Sequence, residues 1–211
     1  MMGGTYDPVH FGHLRTALEI KQNLGLSEIK LVPCHIPNHR PEPDVSALHR
    51  IAMLNLAIAD DSALVVDNRE CLSPNTSYTV DTLKSYRSEY GGERPLLLIM
   101  GMDAFSSLPQ WHQWQRILDL AHIVVAHRPG VELPTQHVLK NIIEKHLVAD
   151  KQQLFASPSG CVWWQTVTAL EISSSQIRQL VQQQLSPKYL LQDSVWHYIK
   201  QHQLYGYKTE I

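Results

Sequence analysis

Residues Pro95 to Gly101 read PLLLIMG, with Leu96 to Met100 unbroken by any polar side chain. A strand with one wet face alternates apolar and polar residues. A short run without alternation is a strand covered on both faces. Ile29 to Val32, Leu64 to Val66 and His122 to Ala126 have the same character, and amphipathic stretches separate them. From Phe11, the residues Leu14, Ala17, Leu18 and Leu24 recur at helical spacing, with Gly25 as the stop. Ser46 to Asp60 is helical in pattern, and Thr79 to Tyr90 is helical with Gly91-Gly92 behind it. This alternation predicts an α/β fold, a doubly wound, Rossmann-like parallel sheet with helices on both faces. A small helical portion closes the chain at Gln176 to Gln184 and Val195 to His202. Between these landmarks the pattern predicts helices at Trp111 to Leu118 and Val138 to His146, strands near Gln153 to Ala156 and Cys161 to Thr166, and a proline-rich loop from Pro33 to Pro43. Ligands of such folds sit beyond the carboxyl ends of the strands.

The chain has 211 residues, which suits a single domain spanning 1–211. Its formal charge of −2 argues against a broad nucleic-acid or membrane footprint. No apolar run is long enough to span a bilayer, and no signal peptide is recognisable. Cys34, Cys71 and Cys161 form neither a CxxC motif nor a disulfide framework, so a reduced, cytoplasmic protein is expected.

Two stretches carry the chemistry. The first is GGTYDPVHFGH, residues 3–13. Gly3 and Gly4 let backbone approach a ligand, with Thr5 following. Asp7-Pro8 turns into a helix, and His10 and His13 share one face of its first turn. Helix N-termini favour anions, and two imidazoles there can donate to phosphate oxygens. The same residues also fit a plain helix cap, or a zinc site completed by Asp7. Neither GxGxxG nor GxxxxGK[ST] is present. The second stretch is EISSSQIR, residues 171–178. Ser173 and Gln176 fit a capping box, and Ser174 and Arg178, four apart, offer a hydroxyl and a guanidinium on one face. A serine cap with a surface arginine is the plainer alternative.

Together these stretches resemble the two signatures of the HxGH nucleotidyltransferase superfamily, with Ser175 where that family places Thr. The middle of the chain is similar to bacterial nicotinate-mononucleotide adenylyltransferases. The similarity runs through IPNHRP (36–41), SYTVDTL (77–83), GMDAFSSLPQWHQW (101–114), AHIVVAHRPG (121–130) and the closing VWHYIKQHQLYG. It implies transfer of the adenylyl group of ATP to nicotinate mononucleotide in NAD synthesis, with Mg2+ arriving on the triphosphate. It implies that His10, His13 and Arg178 are catalytic. It implies that Gly3, Gly4, Thr5, His13, Gly101, Asp103, Arg128, Ser173, Ser174 and Arg178 bind ATP. His39 and Arg40 would then hold the acceptor phosphate, Trp111 its pyridine ring, and Ser77, Tyr78 and Thr79 its carboxylate. No protein metal site is implied, and the oligomeric state is left open. Nicotinamide mononucleotide as acceptor, or a non-catalytic nucleotide-binding regulator, are the alternatives. The family pattern also carries a hydrophobic first strand before the glycines, where this sequence has only Met1 and Met2. A late-assigned start, or a short chain of impaired stability, would each account for that.

Overall fold

A computed structural model describes residues 1–35, 42–73, 76–130 and 134–208. In chain order it contains β1 (Met2–Gly4), α1 (Phe11–Leu24), β2 (Ile29–Pro33), α2 (Ala47–Ala57), β3 (Leu64–Val66), α3 (Arg69–Leu72), α4 (Thr79–Tyr90) and β4 (Leu97–Gly101). There follow α5 (Met102–Ser107), α6 (Ile117–Leu120), β5 (His122–His127), α7 (His137–His146), α8 (Gln153–Ala156), β6 (Val162–Thr166), α9 (Ser174–Gln182) and α10 (Asp193–Gln201). The sheet is parallel, flanked by helices on both faces, with strand order β3-β2-β1-β4-β5-β6. The order reverses at β1, the strand that leads directly into the first motif.

The chain divides into two compact units, one of residues 1–3 and 77–167, the other of residues 4–76 and 168–211. In the first, β4 and β5 pair from Leu97 opposite His122 to Gly101 opposite Ala126, and β5 pairs onward with β6. Leu98, Met100, Ile123, Val125 and Val162 bury their side chains against Leu83 of α4, Phe105 of α5 and Leu139 of α7. Two-sided cover is why these strands lack alternation. The short β1 is held by its backbone: Ile99 N–H donates to Met1 O at 2.8 Å, and Met2 stands opposite Ile99. In the second unit β2 pairs with β3, and Cys34 N–H donates to Gly4 O at 3.0 Å. Gly25 closes α1 in the left-handed region (φ 67°), as its lack of Cβ permits.

Two expected elements are corrected. Gln153 to Ala156 is a helical turn rather than a strand. Asp150 starts it, its carboxylate accepting from Gln152 N–H, while Val148 N–H donates to Val162 O and takes that position on β6. The helix expected from Trp111 to Leu118 is broken by Gln113, whose φ of 49° no continuous helix accommodates. A 3-10 turn at Trp114–Arg116 and the short α6 replace it.

Glu19 ties α1 to the strand-exit segment of the same unit. Its carboxylate, 9% exposed as a residue, accepts from Thr168 N–H (2.7 Å) and Thr168 Oγ1 (2.6 Å) and pairs with Arg15. Burial alone would raise its pKa, but the Thr168 hydrogen bonds and Arg15 outweigh burial and hold it below the usual value. A depressed folded-state pKa means stability present above the unfolded pKa and lost as pH falls through the folded one. Denaturation midpoints followed from neutral pH down to about pH 3 should fall, and Glu19→Gln should cost about 1–2 kcal/mol at neutral pH while flattening that acid slope.

Candidate active site around the opening motif

From Gly4 to His13, the residues of the first motif lie in the same unit as the closing serine–arginine stretch. His10 is the N-cap of α1, extended at φ −151°, and its carbonyl accepts from His13 N–H (3.0 Å) and Leu14 N–H (3.2 Å). The two imidazoles stack, with centroids 3.8 Å apart and planes 28° from parallel. Tyr6 meets the edge of His13 at 5.0 Å. His10 is 6% exposed, its Nδ1 has no hydrogen-bond partner among the described residues, and burial lowers its pKa to about 4. It is therefore a neutral imidazole at physiological pH, a dipolar donor rather than a cation.

Gly12 is what lets the rings stack. A Cβ there would lie 3.0 Å from both Cε1 and Nδ1 of His10. Gly4 plays the same part for Tyr6, whose ring would be 3.0 Å from an added Cβ. Gly3, by contrast, faces open space.

The closing stretch grips this segment by its backbone. Ser173 Oγ accepts from Gln176 N–H at 3.1 Å, which caps α9. Ser174 Oγ donates to Pro8 O at 2.9 Å, and Arg178 Nη1 donates to Asp7 O at 2.8 Å. Arg178 Nε also donates to Asp44 Oδ2 at 2.6 Å. The guanidinium is thus fixed on two sides, a quarter exposed, beside the histidine pair's own loop. Thr5 is anchored from behind. Its carbonyl accepts from Arg50 Nη1 at 2.8 Å, and Arg50, 1% exposed, also donates to His35 O.

Gly3 and the expected residues Ser77, Tyr78, Thr79, Gly101, Asp103, Trp111 and Arg128 belong to the other unit. Gly101 ends β4 and is the N-cap of α5, while Asp103 stands exposed in that helix's first turn and does not cap it. Arg128 follows β5 and is exposed. Ser77 and Tyr78 precede Thr79, the first residue of α4, with Tyr78 as its N-cap. The Tyr78 ring lies over His112, centroids 4.3 Å apart. Trp111 is partly buried and packs against the core of that unit. His39 and Arg40 lie outside the described residues. Sequence reasoning missed Asp44, Arg50, Tyr205 and His112, and took Asp7 as a turn residue or a zinc ligand. Asp7 and Tyr205 stand inside quoted motifs, whereas Asp44 and Arg50 carry no local signal.

The cytidylyltransferase-like family model matches residues 1–180. The "Probable nicotinate-nucleotide adenylyltransferase" of Hahella chejuensis is 48% identical over 207 residues, covering 98% of this chain and 94% of that protein. The protein of the same name from Methylococcus capsulatus is 47% identical, covering 97% of each. Among solved structures, Plasmodium falciparum nicotinic acid mononucleotide adenylyltransferase complexed with NaAD superposes with a TM-score of 0.73 over 99% of this chain and 97% of that one. At 18% identity that likeness concerns the fold.

In an ordinary helix, Gly→Ala gains up to about 1 kcal/mol. At Gly12 the new methyl must push a buried, stacked imidazole, an overpacking cost of about 1–3 kcal/mol. The cost outweighs the gain, so Gly12→Ala should lower the denaturant midpoint, while Gly3→Ala, which meets nothing, should leave it within error of the parent.

Proposed function

We propose that this chain, which belongs to the nicotinate-nucleotide adenylyltransferase family, transfers the adenylyl group of ATP to nicotinate mononucleotide, giving nicotinate adenine dinucleotide and pyrophosphate. The observation that carries this assignment is the His10–His13 stack fastened to Arg178 through Asp7, in a chain matching its relatives over nearly its whole length.

An oxygen of the acceptor's phosphate attacks the α-phosphorus of ATP, and the bond from that phosphorus to the β-phosphate's bridging oxygen breaks. The attacking oxygen is already anionic, so no general base is needed. Catalysis then reduces to alignment and to stabilising charge on the α-phosphate oxygens and the leaving pyrophosphate. We assign Arg178 the role of permanent cation, and His10 and His13 that of directed donors. A neutral His10 does not repel Arg178, and it spends no proton-binding energy at physiological pH. Ser173, Ser174 and the Gly3–Thr5 backbone are assigned to the triphosphate. Gly101, Asp103 and Arg128 are assigned to the rest of ATP, and Ser77, Tyr78, Thr79, Trp111, His39 and Arg40 to the acceptor.

Magnesium enters as part of the substrate, held by phosphate and water. The carboxylates near the histidines suit no oxygen cage of their own: Asp7 accepts from Tyr205 and from Asp44 N–H, and Asp44 pairs with Arg178. Among the described residues no helix is long and apolar enough to cross a membrane, and all three cysteines are free. A cytoplasmic site of action agrees with both.

The test is to incubate the protein with ATP, magnesium and either nicotinate or nicotinamide mononucleotide, and to follow pyrophosphate and dinucleotide. Faster turnover of the nicotinate form is expected, with His13→Ala reducing kcat by about 100-fold or more. Turnover of neither acceptor would overturn the assignment, and preference for the nicotinamide form would replace the acceptor.

A further inference from the structure

The segment VWHYIKQHQLYG, residues 195–206, takes no part in the phosphate chemistry above, yet it delivers one buried side chain to the first motif. Tyr205, 7% exposed, donates its hydroxyl to Asp7 Oδ1 at 2.7 Å. The other carboxylate oxygen of Asp7 accepts from Asp44 N–H at 2.8 Å. Asp44 Oδ2 in turn holds Arg178 Nε, and Arg178 Nη1 returns to the carbonyl of Asp7. Three residues close a ring, Asp7 to Asp44, Asp44 to Arg178 and Arg178 back to Asp7, and Tyr205 fastens that ring at the Asp7 carboxylate. All four residues lie in one unit.

The backbone around Tyr205 is bent to make this contact. Gln203 (φ 51°) and Tyr205 (φ 56°) both occupy the left-handed region without being glycine, and Gly206 (φ 78°) follows. Side chains other than glycine, asparagine and aspartate seldom rest there, and such conformations persist where the surroundings over-determine them. Asp7 is 3% exposed, so bulk water cannot stand in for a lost donor. Burial, and then the adjacent Asp7 charge, push the phenol's pKa up, so the hydroxyl remains a donor throughout the physiological range.

We propose that Tyr205 is a positioning residue for ATP: by fixing the Asp7 carboxylate it sets, through Asp44 and the Asp7 carbonyl, the direction in which Arg178 meets the triphosphate. This rests on the adenylyl-transfer assignment and deepens it.

Tyr205→Phe keeps the ring and its packing and removes only the donor. Measured by initial rates, it should raise KM for ATP by about tenfold, the effect of one lost hydrogen bond to a charged group, while KM for the mononucleotide stays at the parent value. A purely structural role would lower the active fraction and leave KM for ATP unchanged, which would overturn the proposal. In an Arg178→Ala background the same substitution should add less than about twofold, since both changes act on one chain of contacts. Full additivity there would also overturn it. If Tyr205→Phe does not fold, Asp7→Asn weakens the same carboxylate, because the amide offers one acceptor where the carboxylate offers two; an unaltered KM for ATP would again sink the idea. Calorimetry with the α,β-methylene analogue of ATP runs beside the rates. Loss of analogue affinity in Tyr205→Phe supports the positioning role even if no acceptor turns over, whereas a parent protein that binds the analogue without turnover counts against the adenylyl-transfer assignment alone.

Discussion

Asp7 receives hydrogen bonds from parts of the chain that are remote in sequence. Its carbonyl takes Arg178, and its carboxylate takes Tyr205 and the backbone of Asp44. A carboxylate 3% exposed is costly to bury unless its oxygens are satisfied, and each donor here comes from a different segment. The cost of burying the charge is thereby converted into a geometric demand. The loop bearing Thr5 and Pro8, the start of α9 and the C-terminal turn must all be in place together, or a buried anion is left unmet. The positions of His10 and His13 follow, because Pro8 and Asp7 are the residues that lead into α1.

Close packing holds the histidine pair. Ring stacking at 3.8 Å, the tilted contact with Tyr6 and the bare α-carbon of Gly12 define its place, and Nδ1 of His10 is left without a partner among the described residues. A packed, uncharged imidazole has little freedom to reorient when a highly charged substrate arrives. Preorganisation of that kind is what electrostatic catalysis of phosphoryl chemistry requires, since dipoles that need not move cost nothing at the moment of reaction.

The sheet was legible because burial on both faces leaves an unmistakable trace: PLLLIMG and HIVVA became β4 and β5, and Gly25 and Gly91 marked the ends of α1 and α4. The sheet's edge was less so. Gln153 to Ala156 was misread because a single buried leucine, Leu154, cannot distinguish a turn of helix from a strand. In the site, the residues legible from sequence were those whose spacing is itself the signal, such as His10 with His13 and Ser174 with Arg178. Asp44 and Arg50 were not. Their partners stand 37 and 45 residues away, at Asp7 and Thr5, and no local pattern encodes such a meeting. Arg50 is instructive, because α2, which buries Met53, Leu54 and Ala57, also spends a buried guanidinium on two backbone carbonyls.

The division of the chain has a consequence for how the site comes into being. The larger part of one unit is a continuous stretch, 77–167, whereas the other is assembled from 4–76 and 168–211. Ser174, Arg178 and Tyr205 reach Pro8 and Asp7 across 166, 171 and 198 residues. During synthesis from the N-terminus, the opening motif emerges well before Ser174, Arg178 and Tyr205 exist. Contacts of such span are the late, slow ones in folding. A nascent chain that has not yet reached Tyr205 thus carries both histidines and yet lacks groups that hold their loop, so that loop is fully fastened only once Ser174, Arg178 and Tyr205 have joined it.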